Sequence, residues 1–442
     1  MAYTTDKQTD YDLNLSGRFK SSSIFNLFEQ TATRGGSLLL EKIFATPLTS
    51  AAEIIARRDI LMALQDYEGE FEVNNDEMKQ TADYLNSSDY ANIAMSFGMM
   101  WWKKMQSTFM ANPEFQTIID GLAATHRFLN HAELFLLKVE AALPDSKFLD
   151  KIKAGLAFLS DAQILRFRQA RLEPVSLWQI SGYNRMLRKI YSYELRHLIE
   201  LIEELDCYMS IARTGKEKGF TYAEVLDSTD TYIELDNVRH PRVPGAVGNS
   251  FKFTHDSNVI FLTGANMAGK STFMKSFGIA LYLAHLGFPV PADKMVFTPM
   301  EGMFTSINVP DDISQGYSHF YAEVMRVKSI AKEVASGKRL IVIFDELFKG
   351  TNVKDAYDGT VAITEAFSKR DKCVFIVSTH IMEAGVTLKE QSQNIQFSYL
   401  PTIVVDDRPT YTYKLTEGIA DDRHGMRIIN NERIIEIIRG EA

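Results

Sequence analysis

The chain has 442 residues, 45% hydrophobic and 24% charged, with a formal net charge of −9. That length suggests two or three domains, and the apolar fraction is that of a soluble globular protein with real cores. The negative balance excludes a polycation that grips phosphate backbones by bulk charge. Only two cysteines occur, Cys207 and Cys373, far apart in sequence, which argues against a disulfide framework or a zinc site. Met1 to Asp12 is polar and lacks the apolar stretch of a secretory signal. The longest apolar run, Ile93 to Trp102, is about half the ~20 residues a membrane helix needs. A cytoplasmic protein with no membrane partner is expected.

Up to about Leu226 the pattern is helical, with apolar residues recurring at spacings of three and four. The clearest stripe is Leu187, Ile190, Tyr191, Leu195, Leu198, Ile202, Leu205 and Met209. A helix over Leu187–Ala212 would span roughly 39 Å at 1.5 Å per residue, long enough to act as a strut. Residues 151–200 hold nine Lys and Arg against four acids. That local excess fits either a DNA-lining surface or a solvated face with ion pairs. Trp101-Trp102 followed by Lys103-Lys104 fits base stacking or, more simply, core packing beside solvated lysines.

From Thr231 onward short apolar runs alternate with helical patterns: Val259–Leu262, Leu340–Phe344, Val374–Val377 and Gln396–Leu400. This predicts an α/β domain with a mostly parallel sheet. The run Gly264-Ala265-Asn266-Met267-Ala268-Gly269-Lys270-Ser271-Thr272 follows the first strand and precedes a helix predicted over Phe273–Leu286. It fits the phosphate-binding P-loop in the strand–loop–helix context that the motif requires. Glycines let the backbone N–H groups turn toward phosphate oxygens, Lys270 supplies a cation for the β- and γ-phosphates, and the Ser271 hydroxyl suits Mg²⁺. The apolar strand ending in Asp345-Glu346, 75 residues beyond Lys270, reads as a Walker B pattern. Asp345 would hold the metal and Glu346 would orient or deprotonate the attacking water. His380 follows a further strand and suits a γ-phosphate sensor, against the plainer reading of a structural histidine. Asp311 to Phe320 reads as a capped helix start. Whether Ser318 and its neighbours also reach a phosphate on a partner subunit stays open from spacing alone.

Taken together, the phosphate loop, Asp-Asp-Ile-Ser-Gln-Gly-Tyr-Ser-His-Phe, Phe-Asp-Glu-Leu-Phe-Lys-Gly-Thr and Ser-Thr-His resemble the MutS family of DNA mismatch repair ATPases, which are ABC-type. Arg239-His240-Pro241 resembles the family's Arg-His-Pro before its ATPase sheet. Leu205-Asp206 with Ser210 and Ala212 resembles the end of its lever helix, and Gln30 to Thr33 with Gly35 the start of its core domain. Gly418 and His424-Gly425 resemble the last ATPase stretch, with His where the family usually has Ser.

The resemblance implies an α/β P-loop (ABC-type) ATPase domain over 231–442, preceded by a mostly α-helical core/lever domain over 15–230 and a flexible N-terminus over 1–14. It implies ATP and Mg²⁺, a homodimer, and double-stranded or branched DNA as partner. Gly264, Ala265, Asn266, Met267, Ala268, Gly269, Lys270, Ser271 and Thr272 then match the phosphate loop. Ser271 and Asp345 match the metal ligands; Glu346, Lys270 and His380 match the catalytic set. Ser318 matches a serine reaching the partner's nucleotide, and Phe251 an adenine-stacking aromatic. Ala265 stands for a usual proline and Ala268 for a usual glycine, while Asn352-Val353-Lys354-Asp355 reads as an insertion that lengthens an interface loop. Only about 15 residues precede the core, and about 170 separate Thr33 from Leu205. A mismatch-reading domain is therefore not expected, and a clamp is expected to be absent or reduced. The alternative is an ATP-switched protein-interaction module that does not act on DNA.

Overall fold

The computed structural model describes residues 2–17, 21–67, 69, 71–86, 113–143, 147–171, 176–265, 267–307, 319–405, 408–420 and 434–439. It divides into two compact units. The first comprises Met1–Phe28, Ile43–Arg58 and Thr214–Ala442; the second comprises Glu29–Lys42 and Asp59–Arg213.

The second unit is helical. Its longest members are Pro113–Glu140 and Ser192–Lys218, joined by shorter helices at Asn75–Asn86, Lys147–Leu159, Ala162–Arg168 and Leu177–Arg185. Ser176 and Gln179 form a reciprocal capping box at the start of the last of these. The predicted strut begins later than its apolar stripe. Met186–Ile190 forms a π-helical turn, and the Tyr191 N–H donates to Met186 O at 3.0 Å. A π turn advances the chain by more than an α turn, so the 3.6-residue phase is lost there. This accounts for the stripe's exception: Ile190 is half exposed, whereas Leu187, Leu195, Leu198, Ile202, Leu205 and Met209 are buried.

Two sequence stretches some 175 residues apart meet in this unit. The buried Asp206 carboxylate accepts the N–H of Ala32 at 3.0 Å, the N–H of Thr33 at 2.7 Å and the Thr33 hydroxyl at 2.6 Å. The Gln30 N–H donates to Ser210 Oγ at 2.8 Å. Gly35 lets the Glu203 carboxyl group lie against the backbone: a Cβ there would fall 1.8 Å from its carboxyl carbon and push that side chain aside. Four of the nine basic residues in 151–200 are engaged within this unit. Lys151 pairs with Glu204 at 2.8 Å, and buried Arg168 pairs with Glu133. Buried Arg188 lies 5.3 Å over the Tyr84 ring, and Arg196 donates to Asn86 Oδ1 at 2.7 Å.

The strands of the first unit, in chain order, are β1 Glu224–Val225, β2 Tyr232–Val238, β3 Asn249–Thr254, β4 Val259–Thr263, β5 Lys294–Phe297, β6 Gly302–Ser306, β7 Leu340–Asp345, β8 Val374–Ser378, β9 Ile395–Tyr399, β10 Thr402–Val405, β11 Arg408–Tyr411 and β12 Thr416–Glu417. A six-stranded sheet runs β12-β9-β4-β8-β7-β6, parallel except for the β12–β9 edge pair. The four predicted runs are its central strands, extended by a residue or shifted by one. β4 and β8 are buried at every position, as expected when helices cover both faces of a parallel sheet. On one face Phe261, Phe344, Phe375 and Phe397 join Val327, Ile330, Ala356, Phe367 and Leu388 from three helices. Burying each such aromatic is worth roughly 1.5–3 kcal/mol. Helix Lys270–His285 lies on the first unit as a buried element along nearly its whole length.

A smaller sheet of order β1-β5-β2-β3, and the β10–β11 hairpin, were not foreseen from the sequence. Residues 1–14 carry the helix Lys7–Leu13, capped by Asp6 and seated on β6. Asp12 is buried there and accepts the Thr305 hydroxyl at 2.7 Å and the Ile307 N–H at 2.9 Å. Asn352 caps the helix Val353–Ser368 by accepting the Asp355 N–H at 3.0 Å. The residues read as a loop-lengthening insertion are therefore a cap and a first helical turn. No helix among the described residues is long and apolar enough to cross a membrane.

His285 is fully enclosed. Its ring bonds Leu281 O at 2.7 Å through Nδ1 and accepts the Met300 N–H at 2.9 Å through Nε2. Burial pushes its pKa from 6.5 down to about 4. Its contribution is complete above pH 6.5 and is lost as pH falls toward 4, because the unfolded chain takes the proton first. The loss amounts to about 3 kcal/mol. Urea midpoints of wild type between pH 7.5 and 4.5 should fall accordingly, and the slope should be shallower in His285→Gln.

Candidate nucleotide site

The connection between β4 and helix Lys270–His285 curls through left-handed backbone at Gly264 (φ 142°), Met267 (φ 69°) and Gly269 (φ 98°). Gly269 takes the cap position without a side-chain bond, so the helix N-terminus is open toward the loop. Lys270 is buried, and its ammonium donates to Gly264 O at 2.9 Å and Ala265 O at 3.2 Å. Desolvation lowers its pKa, opposed by the nearby Asp345 and Glu346 carboxylates.

Parallel register sets the acidic side. Leu262 of β4 pairs with Ser378 of β8, which pairs with Asp345 of β7. The three strand ends are therefore level, and Ser271 Oγ donates to Asp345 Oδ2 at 2.5 Å. Asp345 Oδ1 is buried and has no hydrogen-bond partner among the described residues. The next residue, Glu346, turns into left-handed backbone (φ 52°), and its N–H donates to Ser378 O at 2.9 Å. That conformation is costly for a glutamate, of order 1–3 kcal/mol, and is held because its neighbours over-determine it. It aims the carboxylate at His380, with Oε1 2.6 Å from Nε2. A carboxylate only accepts when ionised, so Nε2–H donates to Glu346. The 3.4 Å approach of the Lys270 ammonium to that same nitrogen is then charge proximity, not a second bond. The His380 hydrogen bond lowers the Glu346 pKa against desolvation, assisted by the charges of His380, Lys270 and Lys349.

A cavity of about 630 Å³ opens over this loop, within the size range of small-molecule sites. Ala265, Met267, Gly269, Lys270, Ser271, Thr272 and Glu346 line it. Asp345 and His380 meet it through Ser271 and Glu346, and Ala268 is buried within the loop. Asn266 and Ser318, with Trp101, Trp102 and His424, lie outside the described residues. Phe251 does not line the cavity. Its ring packs edge-on to Phe253, Phe273 and Phe277 at 6.0, 5.0 and 5.4 Å, because alternation along β3 turns it toward the helix.

The far wall was not read from the sequence. It comprises Val238, His240, the Val243–Val247 turn, Asn249 and Tyr413. His240 had been noted only within its tripeptide. Burial, with Lys275 and Arg242 adding, depresses its pKa to about 4, so the ring is neutral near pH 7. Tyr413 lies in a connection with no strong pattern, and no sequence signal marks it.

The fold is thus a mixed α/β unit with a cation, a hydroxyl and two carboxylates gathered at the carboxyl edge of its sheet, together with a helical unit. Comparison with known proteins agrees. MutS domain III matches residues 8–212 and MutS domain V matches residues 260–439. The DNA mismatch repair protein MutS of Bacillus cytotoxicus is 28% identical over 246 residues, covering 54% of this chain and 27% of that protein. The MutS of Bacillus mycoides is 27% identical over 260 residues, 58% of this chain and 29% of its own length. The chain belongs to the MutS family. The match spans less than a third of the length of these relatives.

Removing the His380 ring should raise the Glu346 pKa toward or above the usual carboxylate value. Carbon-detected NMR titration of Glu346 in wild type and His380→Ala measures this directly.

Proposed function

We propose that this chain binds and hydrolyses ATP as a homodimer, and that it couples this to double-stranded or branched DNA. In this reading residues 231–442 form an ABC-type P-loop ATPase domain and residues 15–230 a helical core/lever domain, acting in the cytoplasm. The observation that carries it is the convergence of five groups: Lys270, Ser271 and Glu346 line the cavity, with Asp345 bonded to Ser271 and His380 to Glu346 directly behind them.

The residues fit Mg²⁺. Ser271 Oγ and the Asp345 carboxylate are adjacent, and Asp345 Oδ1 is an unpartnered buried acceptor. Among the described residues no three His, Cys, Asp or Glu side chains cluster as a metal cage, which suits an ion that takes most ligands from water and phosphate. Such an ion neutralises charge on the transferring phosphate. Lys270 leaves the loop carbonyls for the phosphates, which restores a charged partner to a desolvated ammonium. Glu346, ionised and held in place by the His380 hydrogen bond, is positioned to orient an attacking water and accept its proton. His380 orients that carboxylate, and its Nε2 lies 3.4 Å from the Lys270 ammonium, beside the place where the terminal phosphate would sit.

A dimer is supported by exposed apolar residues on connections leaving the carboxyl edge of the sheet. Met267 and Val353 are 79% and 78% exposed, with Tyr321 and Met325 on the helix after β6. We infer that closure of these faces moves the long helices and that hydrolysis releases them. One observation favours the second reading, a protein-directed switch. Lys151, Arg168, Arg188 and Arg196 are committed within the helical unit, and an apolar groove of about 410 Å³ lies between Phe158, Tyr193 and Leu198.

Glu346→Gln should retain ATP but lower turnover on the order of 10²–10⁴-fold, while Lys270→Ala should lose tight ATP binding. Equilibrium binding and single-turnover assays separate the two. Binding to homoduplex, mismatched and branched DNA at two salt concentrations tests the partner. Nucleotide-dependent, salt-sensitive binding is expected, and none in any nucleotide state, with turnover intact, would overturn the DNA reading and favour the protein-directed one.

A further inference from the structure

Tyr413 is a non-glycine residue in left-handed backbone (φ 55°), at the rim of the cavity. Its ring rests on the phosphate loop: a Cβ on Gly269 would fall 2.9 Å from Tyr413 Cδ1. Strained residues at ligand sites persist where surrounding bonds over-determine them. Here one buried side chain supplies those bonds. Asn249 Nδ2 donates to Tyr413 O at 3.0 Å and to Val247 O at 3.4 Å, and its Oδ1 accepts the Leu415 N–H at 2.7 Å. Asn249 is 5% exposed, so leaving these groups unpaired would be costly. A second tether runs alongside: Lys414 Nζ donates to Gly248 O at 2.6 Å. The upstream end is fixed by Thr412, whose N–H and hydroxyl both donate to Pro401 O, at 3.4 and 3.1 Å.

We propose that Asn249 is a positioning residue for nucleotide binding. It clamps the 413–415 segment to the Val243–Val247 turn and so fixes the Tyr413 ring as the wall that meets the nucleoside end of the ligand. The proposal rests on the nucleotide reading of this cavity. It assigns the two walls different tasks. Lys270 and Ser271 meet phosphate, and the Asn249 clamp, acting through Tyr413, meets base and sugar. A general structural role for Asn249 would weaken every ligand alike. A positioning role weakens only ligands that carry a nucleoside.

The test uses the full chain and two probes, MgATP and inorganic tripolyphosphate with Mg²⁺, titrated calorimetrically. The variants are Asn249→Leu, Asn249→Ser, Tyr413→Ala and the double variant Tyr413→Ala/Asn249→Leu. The two Asn249 replacements differ in size, so failure of one to fold leaves the other. Each is expected to bind ATP about tenfold more weakly, the scale of one lost buried hydrogen bond, with tripolyphosphate unchanged. The double variant should bind ATP no more weakly than Tyr413→Ala alone. Unchanged ATP affinity, an equal loss for tripolyphosphate, or additive losses in the double variant would overturn the clamp. If wild type binds neither probe, the nucleotide reading itself falls, and the clamp falls with it.

Discussion

The parallel register of β4, β8 and β7 is the constraint on which the site depends. Parallel strands that end level deliver their next residues to one edge. Leu262, Ser378 and Asp345 lie side by side in that register, so the loop after β4, the turn after β7 and the turn after β8 emerge together. A slip of one residue in β7 would turn Asp345 toward the opposite face and leave Ser271 without its carboxylate. The aromatic stack of Phe344, Phe367 and Phe375 fixes this register from below, with ring centroids 5.7 and 4.9 Å apart. Packing under the sheet therefore sets the chemistry above it.

What was legible in the sequence was local. The phosphate loop, the Asp345-Glu346 strand end and His380 each carry their pattern within about ten residues, and the central strands are short apolar runs with clear stops. What was not legible depends on contacts across long separations. The β1-β5-β2-β3 sheet mixes parallel and antiparallel pairs over residues 224–297, and its order follows from pairings between strands far apart in sequence. Phe251 looked available as a base platform, yet the pleat of β3 places it in an aromatic cluster. Tyr413 reaches the cavity only because the chain folds back after a hairpin. The π turn at Met186–Ile190 has no signature beyond a stripe that loses phase.

Electrostatics shows the same division between count and placement. Nine basic residues in fifty fitted either a DNA-lining surface or a solvated face with ion pairs, and four of them are spent on Glu133, Glu204, Asn86 and the Tyr84 ring. At the candidate site the charges are few, and burial gives them effect. A desolvated lysine, a carboxylate held ionised by a histidine and an unpartnered carboxylate oxygen lie within a few ångströms of one another. The low dielectric strengthens each interaction there, as it cannot for exposed pairs.

The helix Lys7–Leu13 has a consequence in the order of synthesis. Its Asp12 bonds Thr305, 293 residues further along the chain. At about 5–20 residues per second, the helix leaves the ribosome some 15–60 s before its seat on β6 exists. During that interval Leu13, fully buried in the finished protein, has no core to enter. The sheet edge in turn receives its cover from a segment made well before it. The edge strand and the Lys7–Leu13 helix thus protect each other only once β6 has been made, and until then the helix's apolar face is open to mispairing.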